Sequence, residues 1–248
     1  MNSIIKNNKV YYVLGLLFIV CLWSVLSLIS NNDFIVPSPS LTIDALYEII
    51  CDIATYKILG LTLLRLLLSI SSSFILGVVL AVFSYFSQKV NCFVKPLIVI
   101  MKTIPVVAIV IMLLVIIGRE YSSYLIVGFV AFPIIYEGTL NGFFTFDKDM
   151  LDEVKMVSKT NVQILQHIYL PLIRPHLLTS LLQSFGLGLK VLVMAEFIIE
   201  TKDSIGEAIR FYKNEALTEY IFAWSIILII FVLLIDSLFN ILKKKSLA

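Results

Sequence analysis

FTFDKDMLDEVKMVSKTNVQILQHIYLPLIRP, residues 144 to 175, is a polar stretch enclosed by two hydrophobic runs at 121 to 143 and 176 to 199. Asp147 or Asp149 is placed to cap a first helix. Its opening turn gains Asp152 and Glu153 at the positive end, while Lys155 and Lys159 lie toward the negative end. Thr160-Asn161-Val162-Gln163 is a capping box, in which hydroxyl and amide side chains each satisfy an orphan backbone N–H, so a second helix starts there. Ile164, Leu165, Ile168 and Tyr169 give that helix an apolar face, and Pro171 ends it. The stretch therefore predicts a helix-turn-helix on a membrane surface with a polar corner at Ser158 and Lys159. That shape suits a docking surface for a soluble partner and a self-contained connector equally well.

Working outward, six hydrophobic stretches stand at 10–30, 58–86, 96–117, 121–143, 176–199 and 220–242. The second is longer than a hydrocarbon core of ~30 Å requires and must tilt, bend or protrude. Its Ser69, Ser71, Ser72 and Ser73 are the place to bend or pack closely. The third and fourth are joined only by Gly118, Arg119, Glu120 and adjacent residues, which predicts an antiparallel hairpin. No internal repeat and no interrupted helix is visible. The expectation is an all-α, polytopic membrane protein of about six spans, forming a single transmembrane domain over 1–248.

Composition supports this reading. Of 248 residues 60% are apolar and 15% charged, with a mean hydropathy of +1.00, against about 45–50% and about 25% in soluble domains. Disordered, collagenous and disulfide-rich secreted classes are excluded. A net charge of +2 argues against a nucleic-acid partner. Cys21, Cys51 and Cys92 show no metal-ligand spacing, and no metal site is expected. Lys6 and Lys9 before Val10 to Ser30 imitate a signal peptide, but no small-x-small cleavage site follows, so a retained first span is expected.

With a cytoplasmic N-terminus, eleven basic residues fall inside (Lys6, Lys9, Lys89, Lys95, Lys148, Lys155, Lys159, Arg174 and Lys243 to Lys245). Five fall outside: Lys57, Arg119, Lys202, Arg210 and Lys213. This bias places both termini in the cytoplasm. Of the outside segments, Val36-Pro37-Ser38-Pro39-Ser40 is extended, and Ser40 is placed to cap a helix with Ala45, Leu46, Ile49, Ile50 and Ile53 on one face. A membrane-surface helix is preferred there over a docking element. Residues 200–219 are polar with mixed charge and suit a short external helix or cap.

The 144–175 loop resembles a known family motif. Asp152-Glu153-Val154, Ser158 and Ile168-x-Leu170-Pro171 reproduce the spacing of the EAA loop, E-A-A-x3-G-x9-I-x-L-P, of membrane subunits of binding-protein-dependent ABC importers. Four identities differ: Asp152 stands for Glu, Glu153 and Val154 for the two Ala, and Ser158 for Gly. The stretches Val36 to Pro39, Thr62-Leu63-Leu64-Arg65, Ile104-Pro105, Phe132-Pro133-Ile134, Leu170-Pro171 with Pro175, and Ala195-Glu196 are similar to the branch importing nitrate, sulfonates, taurine and thiamine precursors.

The resemblance implies a type I importer permease, acting as a homodimer or with a similar permease. Two ATP-binding subunits would dock on the inner face and an extracytoplasmic solute-binding protein on the outer one. It also implies that Asp152, Glu153, Val154, Ser158, Lys159, Ile168, Leu170 and Pro171 form the coupling element to the ATPase. No G-x4-G-K-[ST] phosphate loop is present, so this chain is expected to hold no cofactor and no enzymatic activity, with ATP and Mg on the partner. Ser158 replaces a glycine that permits φ > 0, which costs of order 1 kcal/mol and leaves the corner geometry open.

Ionisable groups within spans cost about 3 kcal/mol unless paired or wet, so each is by default a functional candidate. Arg65, Lys102, Glu137 and Lys190 are candidates for path or gate, and Asp236 is the fifth such group. Lys102, Glu137 and Asp236 lie about 9 Å from the inner edge, where snorkelling or a local pair such as Asp236 with Lys243 accounts for them. Arg65 is similarly shallow from the outside. Lys190 sits near mid-helix and either pairs with another helix, with Glu137 or Asp236 as carboxylates to hand, or faces the solute path. There it would favour an anionic or electron-rich solute. Gly186 and Gly188 before it allow close helix approach. Glu196, about 120° around the helix from Lys190, is expected to support an outer gate. His167 and His176 read as polar surface residues.

Two other classes compete. An ion-driven secondary transporter would show an inverted repeat and interrupted helices. An intramembrane enzyme would cluster acid and base residues at one depth, whereas the ionisable residues here are scattered and no H-E-x-x-H or G-x-S-x-G occurs.

Overall fold

The computed structural model describes residues 2–145 and 169–247, with side chains over 10–145, 169–239 and at 241. Of the coupling loop expected at 144–175, residues 146–168 therefore lie outside the described residues. Every regular element described is a helix: α1 (Asn2–Ser30), α2 (Pro39–Cys51), α3 (Ile53–Phe86), α4 (Gln88–Thr103), α5 (Val106–Ile117), α6 (Arg119–Phe144), α7 (Leu170–Ile199), α8 (Ile205–Asn214) and α9 (Thr218–Leu247). Five of them are long and apolar enough to cross a membrane, and α4 with α5 supplies a sixth if the bent pair is one span.

That bend corrects one expectation. The stretch 96–117 is not one uninterrupted helix, because the chain turns by 98° between α4 and α5. Pro105 is the cause: its ring pushes the preceding residue out of the helical region, and Ile104 sits at φ −65°, ψ 130°. The hairpin from α5 to α6 is tighter than expected. Only Gly118 separates the two helices, at φ 85°, ψ −177°, a conformation open essentially to glycine alone.

Two compact units make up the chain, one from within Met1–Ile58 and Ala208–Ile229, the other from within Leu59–Glu207 and Ile230–Ala248. In the first, Ser38 rather than Ser40 caps α2, its Oγ accepting from Leu41 N at 3.4 Å, because Pro39 with its fixed φ opens the helix. The buried face is Thr42, Ala45 and Ile49. Ile50 and Ile53, expected on that face, are exposed, and Ile53 already belongs to α3, which Asp52 starts by accepting from Ala54 N at 2.9 Å. Trp23 Nε1 donates to Pro37 O at 3.0 Å and its ring stacks on Phe222, with centroids 5.7 Å apart. Tyr212 stacks on Tyr220 at 4.5 Å, and Tyr220 OH donates to Glu48.

In the second unit α6 and α7 pack closely along one another. Small residues permit it. A Cβ on Gly138 would fall 2.5 Å from Ser180 Cβ, and one on Gly142 would fall 3.0 Å from His176 Cβ. His176 is thus a packing residue at the helix crossing and not the surface residue expected. α3 remains one helix of 34 residues through its serine run. Ser69 and Ser73 return their hydroxyls to Arg65 O and Ser69 O, both at 2.8 Å, and Ser73 Oγ also reaches Gly128 O of α6 at 3.2 Å. The serines serve close packing, and no break of the helix occurs there.

Candidate functional site

Glu196 and Arg65, separated by 131 residues in sequence, meet as a buried ion pair. Arg65 Nη1 lies 3.1 Å from Glu196 Oε1, with the two side chains 11% and 0% exposed. Thr62, one turn before Arg65 on the same face of α3, directs its hydroxyl to both carboxylate oxygens at 3.1 and 3.2 Å. That hydroxyl also accepts from Ile205 N at 3.2 Å, while Gly206 N reaches Glu196 Oε2 at 3.4 Å. The first amides of α8, which no helix can satisfy internally, are therefore taken by Thr62 and Glu196, and the carboxylate sits at the positive end of the helix.

Arg65 is held from the other side as well. Nη1 and Nη2 donate to Asp203 O at 3.3 Å and Lys202 O at 3.1 Å. The segment between α7 and α8 can wrap it because Glu200 and Asp203 adopt left-handed conformations with φ 61° and 51°. Ser204 then caps α8 by accepting from Glu207 N at 3.0 Å, and Glu207 Oε2 accepts from Asp203 N at 2.6 Å. Gly206 has to be glycine, since a Cβ would lie 2.3 Å from Phe197 N and 2.5 Å from Glu196 Cβ. One buried carboxylate thus ties together α3, the end of α7 and the start of α8.

Ser204 and Gly206 are not among the residues the sequence points to, and Thr62 enters only through the stretch Thr62 to Arg65. Ser204-Ile205-Gly206-Glu207 has the S-x-x-E spacing of a capping box, a legible signal for the start of α8. No local signal marked Thr62.

The other intramembrane candidates are placed elsewhere. Lys102 Nζ meets Glu137 Oε2 at 2.7 Å, with side chains 51% and 40% exposed, so both charges lie at the surface of the single chain. Glu137 is therefore taken by Lys102. Lys190 is exposed on α7 in line with Thr179, Gln183 and Leu187, and has no ion-pair partner among the described residues. Gly188 packs against Leu66 of α3 and Val127 of α6, whereas Gly186 has nothing near it. Asp236 is partly buried, and the Lys243 side chain lies outside the described ones. Asp152, Glu153, Val154, Ser158, Lys159 and Ile168 are also outside; Leu170 and Pro171 open α7.

Among the cavities of this unit, two are lined by residues of both α3 and α6. The larger, about 520 Å³, is mostly apolar and lies among α3, α4, α5 and α6, with Ser69, Ser72, Ser73 and Tyr124 as its polar lining. The smaller, about 390 Å³, is charged, and Arg65, Arg119, Glu120, Glu200, Thr201 and Lys202 line it. Among the described residues no cluster of His, Cys, Asp and Glu has the geometry to hold a metal.

Comparison with known proteins agrees with this architecture. The model of the binding-protein-dependent transport system inner membrane component family matches residues 73–247. A Bacillus subtilis (strain 168) protein, provisionally named the aliphatic sulfonates transport permease protein SsuC, is 24% identical over 233 residues, which is 92% of this chain and 83% of that protein. Inward-facing structures of the MetNI methionine ABC transporter, in CY5 native and CY5 SeMet-soak crystal forms, are 17% identical with a TM-score of 0.66. They cover 75% of this chain and 92% of the solved one, and share its fold. Because the family match spans well over half of the residues, the chain belongs to the binding-protein-dependent transport system inner membrane components, the permeases of type I ABC importers.

Proposed function

We propose that this permease passes a small anionic solute, delivered by an extracytoplasmic binding protein, with energy from two ATP-binding subunits that hold ATP and Mg. It works as a homodimer or with a similar permease, and both termini face the cytoplasm. The observation that carries the reading is the buried Arg65–Glu196 pair at the end of the spans that the basic-residue bias assigns to the outside. A carboxylate fully buried on three elements closes that end as one unit, and alternating access requires such a unit to hold in one state and part in another. The SsuC name supports an anionic, sulfonate-like solute. The ATPase docks through residues 150–163, within the stretch that carries the EAA-like spacing.

Reconstitution with the cognate ATPase and binding protein tests this. Ser158→Glu with Lys159→Glu is expected to uncouple ATP hydrolysis from uptake while the permease remains inserted. Unchanged uptake with unchanged recruitment of the ATPase would rule out that docking site. Lys190, exposed in the single chain, faces the path or a second permease subunit, since a lipid-facing charge at mid-membrane costs about 3 kcal/mol. Lys190→Cys, in a background lacking Cys21, Cys51 and Cys92, is expected to react with a water-soluble thiol reagent in one nucleotide-dependent state. Reaction with a lipid-soluble reagent alone would contradict that placement.

A further inference from the structure

The charged cavity of about 390 Å³ has features that the buried pair does not explain. Arg65 uses its guanidinium on Glu196, Asp203 O and Lys202 O through three donor contacts. A guanidinium carries five N–H donors. Among the described residues two of these have no acceptor, on a residue that lines the cavity. Arg119, also lining it, stands 3.7 Å from Glu200, close enough for attraction but beyond hydrogen-bond reach, and it is 64% exposed. Thr201 is 7% exposed and lines the same cavity, yet its Oγ1 is buried with no hydrogen-bond partner among the described residues. Leaving a buried hydroxyl unpaired is unfavourable, so such a group points to a ligand. Finally, α6, a helix of 26 residues, begins at this cavity with Arg119 and Glu120, and its N-cap is Gly118, which has no side chain to cap the first amides. Free amides and the helix dipole favour an anion there.

We infer that this cavity is a solute subsite that takes a monovalent oxyanion group, such as a sulfonate or carboxylate, on Arg65, Arg119, Thr201 and the start of α6. The spare guanidinium donors and the Thr201 hydroxyl hydrogen-bond the oxygens. Glu196 offsets the charge of Arg65, and Glu120 and Glu200 offset Arg119 and Lys202, so the lining has no excess positive charge to hold a dianion. The same Arg65 closes the Glu196 pair, so an anion in the cavity and the closed outer end share one guanidinium. This inference rests on the reading that the solute is anionic.

The test is equilibrium binding of methanesulfonate to the full-length permease in lipid nanodiscs, with choline and inorganic sulfate as comparisons. Saturable binding of methanesulfonate is expected, with Thr201→Val and Arg119→Gln each weakening it about tenfold or more. Thr201→Val removes only a hydroxyl, and Arg119 lies at the surface, so both variants keep the fold; a melting curve matching that of the unsubstituted protein verifies this. No saturable binding, equal affinity in all three proteins, or binding of choline or sulfate as tight as that of methanesulfonate would overturn the subsite. Uptake by the reconstituted complex separates the two readings. Sulfonate uptake without an effect of Thr201→Val discards the subsite alone, whereas transport only of uncharged or cationic solutes discards the anionic solute itself.

Discussion

Glu196→Ala is expected to lower the melting temperature of the permease sharply and to abolish uptake. The carboxylate is 0% exposed and neutralises Arg65 at 3.1 Å, so its removal leaves a largely buried guanidinium without its counter-charge. Breaking a buried pair from one side costs about 3–5 kcal/mol. It also strips the acceptor from Thr62 and from Gly206 N at the start of α8. Glu196→Gln keeps the shape and two hydrogen bonds, so it is expected to retain more stability while still losing the charge. The double replacement Arg65→Met with Glu196→Leu removes both charges and is expected to restore stability but not uptake. A melting curve beside an uptake assay reads both quantities. Should Glu196→Gln leave transport and the basal ATPase rate of the assembled complex untouched, the pair has no part in gating.

Gly206→Ala is expected to produce the second largest effect through sterics alone. The new Cβ would lie 2.3 Å from Phe197 N and 2.6 Å from Glu196 C, both backbone atoms that cannot swing aside. The first turn of α8 must then lift from the end of α7, which opens the Gly206 N to Glu196 contact and the Ile205 N to Thr62 contact together. Overpacking of this kind costs about 1–3 kcal/mol, and here it acts on the element that covers Glu196. Gly186→Ala is the control, because nothing stands within 4 Å of that position. Amide exchange in α8 should accelerate in Gly206→Ala and not in Gly186→Ala. Equal exchange in the two variants would mean that α8 is not held by this contact.

Both residues of the buried pair lie in stretches that resemble the importer permeases, Thr62 to Arg65 and Ala195-Glu196, but nothing in the sequence joins the two. Depth along a helix can be counted from residues, and it places Arg65 and Glu196 near the same membrane face. Azimuth relative to a helix more than a hundred residues away cannot be counted. Lys102 and Glu137 show the same limit: each is readable as shallow, but their pairing at 2.7 Å depends on how α4 lies against α6. The start of α8 was open to a closer reading, because Ser204 and Glu207 stand at capping-box spacing.

The sequence by itself determined what depends on local chemistry summed along the chain. Runs of apolar residues long enough to cross a hydrocarbon core specify spans, and the EAA-like spacing from Asp152 to Pro171 marks the family. Only the tertiary structure decided what depends on which helix faces meet. It broke the 96–117 stretch at Ile104, turned His176 into a packing contact on Gly142, and set Thr62, Arg65, Glu196 and Gly206 around one buried carboxylate. The physical reason is that hydrophobic burial is non-directional and readable from composition. A buried charge, in contrast, is stable only where several precisely placed groups converge on it, and that convergence exists in three dimensions alone.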